Sequence, residues 1–342
     1  MKKRGYLSIW TAAVLLLTGC AAGEGGAKEA AIAPEEGQRL VVYTSHKEEV
    51  WWPIVREFEE RTGIWVDVVT GGTNELLERL EEEAEHPNAD VMFGGGVDSL
   101  AVYEDCFEPY FCAGWEEIQP QYRSAEGLWT PFSSLPVVLI YNTKLLPEGR
   151  VTSWDDLLGG ALRGRVAFAD PAVSGSSYTG LVTMVRAIGE DMETTVREFA
   201  YSLEGNELSG SGEVLTAVNS GSFWVGVTLE ETALKRQAAG DSIAVVYPVD
   251  GTSLVPDGSA LVKGAPHSDN ASLFLDFTVS YDVQQMMAEQ YRRSVREDVD
   301  CLPQLPPAEE LTLVDYDITW ASQNHNTVLM TWAFYLDGEE ET

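Results

Sequence analysis

The sequence predicts an α/β fold, and three observations carry that expectation. From Arg39 onward, short runs of Val, Ile and Leu alternate with segments of helical periodicity. Nearly every one of those runs ends in a turn of Gly, Ser or Thr. The chain has 342 residues and 44% hydrophobic content, enough for a sizeable core in two domains or one large one. Strands alternating with helices predict a mostly parallel sheet with helices on both faces.

Each element has its own local signal. Leu40-Val41-Val42-Tyr43 is a short strand of buried type, and Thr44-Ser45-His46 is a turn with helix-capping residues. Val50, Ile54, Val55 and Phe58 give helical spacing over Glu48–Arg61, stopped at Thr62-Gly63. Ile64–Val69 is the second strand, and Gly71-Gly72-Thr73-Asn74 opens a helix through Glu83. Ala89–Phe93 is the third strand, and Gly94-Gly95-Gly96 leads into another helix. Pro136–Tyr141 and Val166–Ala169 continue the strands; the second runs into Ser174-Gly175-Ser176-Ser177-Tyr178 and an apolar helix over Thr179–Ile188. Trp224–Thr228 and Ile243–Tyr247 are further strands, and 249–262 is an extended crossing segment. A helical region starts at Leu273–Val279, and a final helix spans Thr319–Tyr335.

Fifty-five acidic residues against 22 basic ones give a formal charge of −33. Such a chain lacks the clustered Lys and Arg that neutralise phosphates, which argues against nucleic acid as a partner. The acidity reads as a solvating outer coat, with a cationic ligand as the alternative. At the N-terminus, Lys2, Lys3 and Arg4 precede an apolar run from Leu7 to Leu17, too short to span a membrane and suited to a secretory signal. It ends in Leu17-Thr18-Gly19-Cys20, which resembles a lipobox; residues 1–19 are then a signal peptide and Cys20 is lipidated. Residues 20–38 read as a flexible tether. The folded body is expected outside the cytoplasm, touching the membrane only through this anchor. Of the remaining cysteines, Cys106 and Cys112 are the nearer pair for a disulfide, which leaves Cys301 free. The cysteine spacing matches no zinc site.

The chemistry lies in the turns that close the strands. Ligands of open parallel sheets sit beyond the carboxyl ends of the strands, where helix N-termini offer free N–H groups and partial positive charge. Ser45, Thr73, Gly94–Gly96 and Ser174–Ser177 fall at such points. As a set they suit a phosphate, phosphonate, carboxylate or similar oxyanion.

The runs Val41–His46, Gly71–Leu76, Ala89–Gly95 and Asp170–Tyr178, with Val255–Leu261 and Arg292-Arg293…Val295, resemble the extracytoplasmic solute-binding proteins of ABC importers. Within these, the chain is similar to the group that binds ferric ion, aminoethylphosphonate or sugar phosphate. The resemblance implies a two-lobed, type II periplasmic-binding-protein-like fold with two crossing hinge strands, near Pro131–Leu135 and Val249–Ser253. Lobe 1 is then 39–134 plus 254–300, and lobe 2 is 135–253 plus 301–342. It implies a monomer that delivers a small anionic solute to permease and ATPase subunits, with no catalytic activity and no cofactor. Ligand-binding residues are then expected among Thr44, Ser45, His46, Gly72, Thr73, Gly94, Gly95, Ser134, Ser174, Gly175, Ser176, Ser177, Tyr178, Glu230 and Asp257. Ferric-binding relatives carry adjacent tyrosines after a Gly-bounded strand, but here Gly221–Gly226 is followed by Glu231-Thr232. His46 and Glu230 or Glu231 remain as donors for the ferric alternative. Trp51 and Trp52 are candidates to stack on a sugar.

Two other classes compete. Gly175-Ser176-Ser177-Tyr178-Thr179 falls one residue short of a nucleophile elbow, because Thr179 stands at the last glycine. A polyamine binder would explain the acidity, with Glu230, Asp257 and tryptophans holding the cation.

Overall fold

Two β-sheets organise the computed structural model of the chain, which describes residues 34–336. The signal segment, Cys20 and the tether up to residue 33 lie outside the described residues. The first sheet contains β1 (Arg39–Thr44), β2 (Trp65–Thr70), β3 (Val91–Gly96), β4 (Phe107–Glu108), β5 (Thr130–Ser134), β10 (Pro256–Val262) and β11 (Arg293–Ser294), in the order β11-β5-β10-β3-β1-β2 with β4 also on β10. The second contains β6 (Val137–Asn142), β7 (Val166–Ala167), β8 (Val225–Leu229) and β9 (Ile243–Val246), in the order β7-β8-β6-β9.

Helices α1 (Glu48–Thr62), α2 (Thr73–Glu82) and α3 (Val97–Leu100) come after β1, β2 and β3 in turn. After β6 come α4 (Asp155–Leu158), α5 (Gly175–Ile188), α6 (Met192–Leu203), α7 (Ser211–Ser220) and α8 (Glu230–Ala238). The chain ends in α9 (Ser268–Thr278), α10 (Tyr281–Ala288), α11 (Ile318–Gln323) and α12 (His325–Leu336).

Each sheet is covered on both faces, and strand alternation decides which side chain goes where. In β1, Leu40 and Val42 join Phe58, Phe93 and Phe274 in one core, while Tyr43 packs with Leu76, Met92 and Ala260 on the other face. In β6, Val137, Leu139 and Tyr141 meet Phe168, Tyr178 and Phe199, while Val138 and Ile140 meet Val214 and Val218. This explains why both strands read as continuous apolar runs.

The sheets are mixed, not mostly parallel. β1 pairs in parallel with β2 and β3, and β7 with β8. β10 runs antiparallel to β3, β4 and β5, and β6 antiparallel to β8 and β9. The cause is non-local. β10 enters the first sheet from the second, and so meets β3 head to tail without the crossover helix that parallel pairing needs.

The chain changes sheet between Ser134 and Val137, again between Val246 and Pro256, and returns after Ser294 to α11 and α12. The last two passages run side by side, with Thr252 N donating to Thr312 O and Val314 N to Thr252 O. Thr252 Oγ1 also donates to Val137 O, tying the first passage to the second.

The single final helix expected over Thr319–Tyr335 is two helices, broken at Asn324. Asn324 has φ −100°, ψ 5°, and its side chain donates to Trp320 O. Trp332 of α12 then packs on Phe168 and Phe199 of the second core. Cys106 and Cys112 do not form the expected disulfide: both are free thiols, as is Cys301. Cys106 packs with Phe107 against β10, whereas Cys112 is buried with Ile118 and Val295 in a separate cluster. Short sequence separation does not bring them together.

Candidate functional site

A cavity of ≈ 370 Å³ lies where residues of both sheets' loops meet. Its wall draws Ser45 and His46 from the end of β1, Gly71–Thr73 from β2, and Gly95 and Gly96 from β3. From beyond the second sheet come Val173, Ser174, Ser176, Gly210–Gly212, Glu231 and Thr232. Asp257 of β10 and Arg292, one residue before β11, complete the polar part.

Helix starts dominate this wall. The N-cap residues of α1 (Lys47), α2 (Gly72), α5 (Ser174), α7 (Gly210) and α8 (Leu229) all line it. Each start leaves backbone N–H groups without intrahelical partners and about half a positive charge. Glycines let the walls close. Gly95 has φ +96°, and a Cβ there would stand 2.6 Å from Thr73 Cγ2. At Gly94, φ +105°, it would stand 2.9 Å from His46 Nε2.

Under the cavity lies a buried charged group. Arg292 Nη1 donates to Asp257 Oδ2 at 2.8 Å and to Ser133 Oγ at 2.7 Å. Asp257 Oδ1 accepts from Ser133 N and Ser133 Oγ, both at 2.7 Å. Burial opposes the Arg292 charge, but Asp257 and Glu231 outweigh it and raise its pKa. Burial likewise opposes the Glu231 charge, yet Arg292 and Lys235 hold this carboxyl below its ordinary range. Burial, and then Arg292, push His46 well below the usual histidine value, so its ring is neutral near pH 7. The ring sits edge-on to Phe93, with centroids 4.5 Å apart. The formal charges of the wall residues Lys47, Arg292, Glu231 and Asp257 cancel, although the chain carries −33.

Of the residues expected to bind ligand, Ser45, His46, Gly72, Thr73, Gly95, Ser174, Ser176 and Asp257 lie on the wall. The others do not, for local reasons. Thr44 Oγ1 donates to Phe93 O and accepts from His46 N, so it shapes the turn from beneath. Gly94 backs His46, and Gly175 backs Thr73. Ser134 is buried on β5 beside β10 and β11. Ser177 N donates to the capping oxygen of Ser174, and Ser177 is buried in α5. Tyr178 is in the second core and gives its hydroxyl to Ala321 O. Glu230 accepts both Arg293 Nε and Nη2 at 2.8 Å, and Tyr247 OH at 2.6 Å. Glu230 therefore does not join His46 as a metal donor pair. No group of three or more His, Cys, Asp or Glu among the described residues is placed to hold a metal ion. Neither Trp51 nor Trp52 lines the cavity; Trp51 packs beside the first core, and Arg56 lies over the exposed Trp52 ring.

Sequence reasoning missed Lys47, Gly210–Gly212, Thr179, Thr232 and Arg292 as site residues, and offered Glu231 only as an alternative ferric donor. Gly210-Ser211-Gly212 carries the same Gly/Ser-then-helix signal as the other turns, but no strand immediately precedes it. Arg292 stands in the Arg292-Arg293…Val295 run that carries the resemblance, but only the return of β11 to the first sheet places it on the wall.

Contacts across the cavity join the two sheets' loops. Asn74 Nδ2 of α2 donates to Ala172 O at 2.8 Å and Pro171 O at 3.3 Å. Asp98 of α3 accepts Thr179 Oγ1 at 2.9 Å and Tyr316 OH at 2.5 Å.

Two sheets, passages of chain between them and a polar cavity at helix starts define a two-lobed binding protein. The profile of a family described as bacterial extracellular solute-binding protein matches residues 86–320, and the chain belongs to that family. It is 28% identical over 315 residues to iron uptake protein A1 of Synechocystis sp., covering 84% of this chain and 85% of that one. It is 26% identical over 254 residues to a Salmonella typhi periplasmic protein named for 2-aminoethylphosphonate binding, with coverage of 71% and 73%. The periplasmic binding protein AfuA of Actinobacillus pleuropneumoniae, solved with fructose-6-phosphate, superposes with a TM-score of 0.82 at 22% identity, covering 88% of this chain and 99% of AfuA. The type II periplasmic-binding-protein fold is thereby shown, and the protein is an extracytoplasmic solute-binding component of an ABC importer. No helix among the described residues is long and apolar enough to cross a membrane.

Proposed function

We propose that the solute is a small phosphorylated organic anion, held between lobe 1 (39–134 plus 254–300) and lobe 2 (135–253 plus 301–342). The carrying observation is the convergence of helix starts from both lobes on a cavity whose side-chain charges cancel. Free N–H groups and the Thr73, Ser174, Ser176 and Ser211 hydroxyls supply donors without supplying fixed charge. The size, ≈ 370 Å³, suits an organic solute in the ~300–1,000 Å³ class and far exceeds a bare ion. In this reading Cys20 carries the lipid, residues 20–38 tether the body, and the protein acts as a monomer that hands its solute to a permease with its ATPase. Ligand contacts to both lobes favour the closed form.

The ferric reading has the Synechocystis relative's name in its favour, but no tyrosine is among the described wall residues. A polyamine would need surplus carboxylates, whereas Glu231 and Asp257 each face a cation. A thermal-shift comparison tests the three: sugar phosphates or phosphonates should raise the melting temperature. Stabilisation by spermidine alone, or by ferric citrate alone, would sink the proposal.

A further inference from the structure

Lys47 breaks two local rules at once. It is the N-cap of the 15-residue helix α1, and its side chain caps nothing. That position favours Asn, Asp, Ser or Thr, whose oxygens accept from the first free N–H groups. An ammonium has no acceptor to offer, and its charge opposes the positive end of the helix dipole. The chain supplies proper caps elsewhere. Ser174 accepts from Ser177 N, Asp191 from Thr194 N and Asp317 from Trp320 N. Departures of this kind from local preference collect at functional sites.

Lys47 also differs from the other charged residues of the cavity wall. Asp257 and Arg292 pair with each other at 2.8 Å, and Glu231 pairs with Lys235. Lys47 lines the same wall, is exposed, and makes no ion pair with any described residue. The backbone that carries it is fixed. Thr44 Oγ1 accepts from His46 N, and the His46 ring packs between Phe93 and Phe132. The lysine stem beyond that fixed turn is free to swing.

Charge says what such a residue meets. Without Lys47 the carboxylates on the wall outnumber the cations, and the whole chain carries −33. An entering anion would then face net negative charge at long and at short range. A lysine that only solvates the surface would serve at any exposed position, without the loss of a cap.

We infer that Lys47 is a specificity-determining residue: its ammonium meets the anionic group of the solute, and α1 gives up a cap to place it there. The inference rests on the anionic reading of the site and does not depend on which organic group the anion carries. Isothermal titration of the full chain with inorganic phosphate, glycerol 3-phosphate, glucose 6-phosphate and 2-aminoethylphosphonate finds the tightest of the four, which then serves as the probe. Lys47→Gln should weaken that probe about tenfold, the worth of one hydrogen bond from a charged group. Lys47→Arg, which keeps the charge, should restore most of the loss. Lys144→Gln, at an exposed lysine off the wall, should leave affinity unchanged. Lys47→Asn should lose affinity as Lys47→Gln does, yet raise the denaturant midpoint of the unliganded chain, because it supplies the missing cap. Unchanged affinity in Lys47→Gln, an equal loss in Lys47→Arg or in Lys144→Gln, or no rise of the midpoint in Lys47→Asn overturns the inference and leaves the anionic reading standing. Binding of none of the four anions overturns both. The unliganded midpoints show that each variant compared is folded.

Discussion

Arg292 and Asp257 form a nearly buried ion pair, 2.8 Å from Nη1 to Oδ2, that joins the return strand β10 to the approach of β11 beneath the cavity. Two passages of chain that enter the first sheet separately are thus held by one charge pair. Removing one partner leaves the other buried and uncompensated, which costs about 3–5 kcal/mol. Arg292→Ala should lower urea-unfolding stability by that order, while Arg39→Ala, at an exposed pair with Asp67, should cost under ~1 kcal/mol. Similar losses for the two variants would contradict the burial argument.

The serine turn divides by role. Ser176 faces the cavity, so Ser176→Ala should weaken a bound anion by about 1.5–3 kcal/mol in calorimetry. Ser177 is buried behind it, so Ser177→Ala should leave affinity unchanged. Ser174 lines the wall and also caps α5, so Ser174→Ala should lose affinity together with about 1 kcal/mol of stability. A strong affinity loss in Ser177→Ala would reverse this assignment.

Asn74 is the polar bridge between α2 and the 171–172 carbonyls. Asn74→Ala should shift unliganded protein toward more open shapes, seen as a larger radius of gyration in solution scattering. Apparent ligand affinity should fall by about tenfold or less, the worth of one hydrogen bond. An unchanged radius together with unchanged affinity would show that the bridge has no part in closure.

Two histidines are held neutral by burial, His46 strongly and His325 more mildly. Their folded pKa values lie below the unfolded one, so the unfolded chain binds the extra protons. Stability should therefore fall as pH drops below about 6.5, by up to ~1.4 kcal/mol per unit for each histidine. Asp98, raised by burial, acts in the opposite sense as pH falls through its own raised value. His46→Gln should flatten the fall between pH 7 and 5, measured by denaturant midpoints. An equally steep profile in that variant would refute the histidine account.

The chain's −33 repels an anion at long range, while the wall itself is balanced. Stopped-flow association of a phosphorylated solute should therefore speed up when salt rises from about 20 to 200 mM, as screening shortens to ~8–10 Å. A slower association at high salt would mean that a positive field guides entry.

The legible part of the site was local. The turn after β1, the Gly71–Thr73 turn and the Ser174 cap each announce themselves in a few residues, and all reach the cavity. The illegible part depends on distant chain. The direction of β10 results from its arrival from the other sheet. Arg292 and Glu231 reach the wall from different sheets, and the short runs that hold them do not say that they face one cavity. Glu230 and Glu231 are adjacent and identical, yet one locks Arg293 and the other faces the cavity, since side chains one residue apart on α8 point different ways.

The helix starts that line the cavity have a further consequence for how such a site can change over generations. A backbone N–H survives every substitution except proline, so on the proposed reading the preference for an anion is written into the path of the chain and resists drift. The side chains beside it carry no such protection. A change at a wall side chain outside the buried ion pair, such as Ser176 or Thr232, alters what meets the rest of the solute and leaves those N–H groups in place. The scaffold is conservative toward one half of its cargo and permissive toward the other.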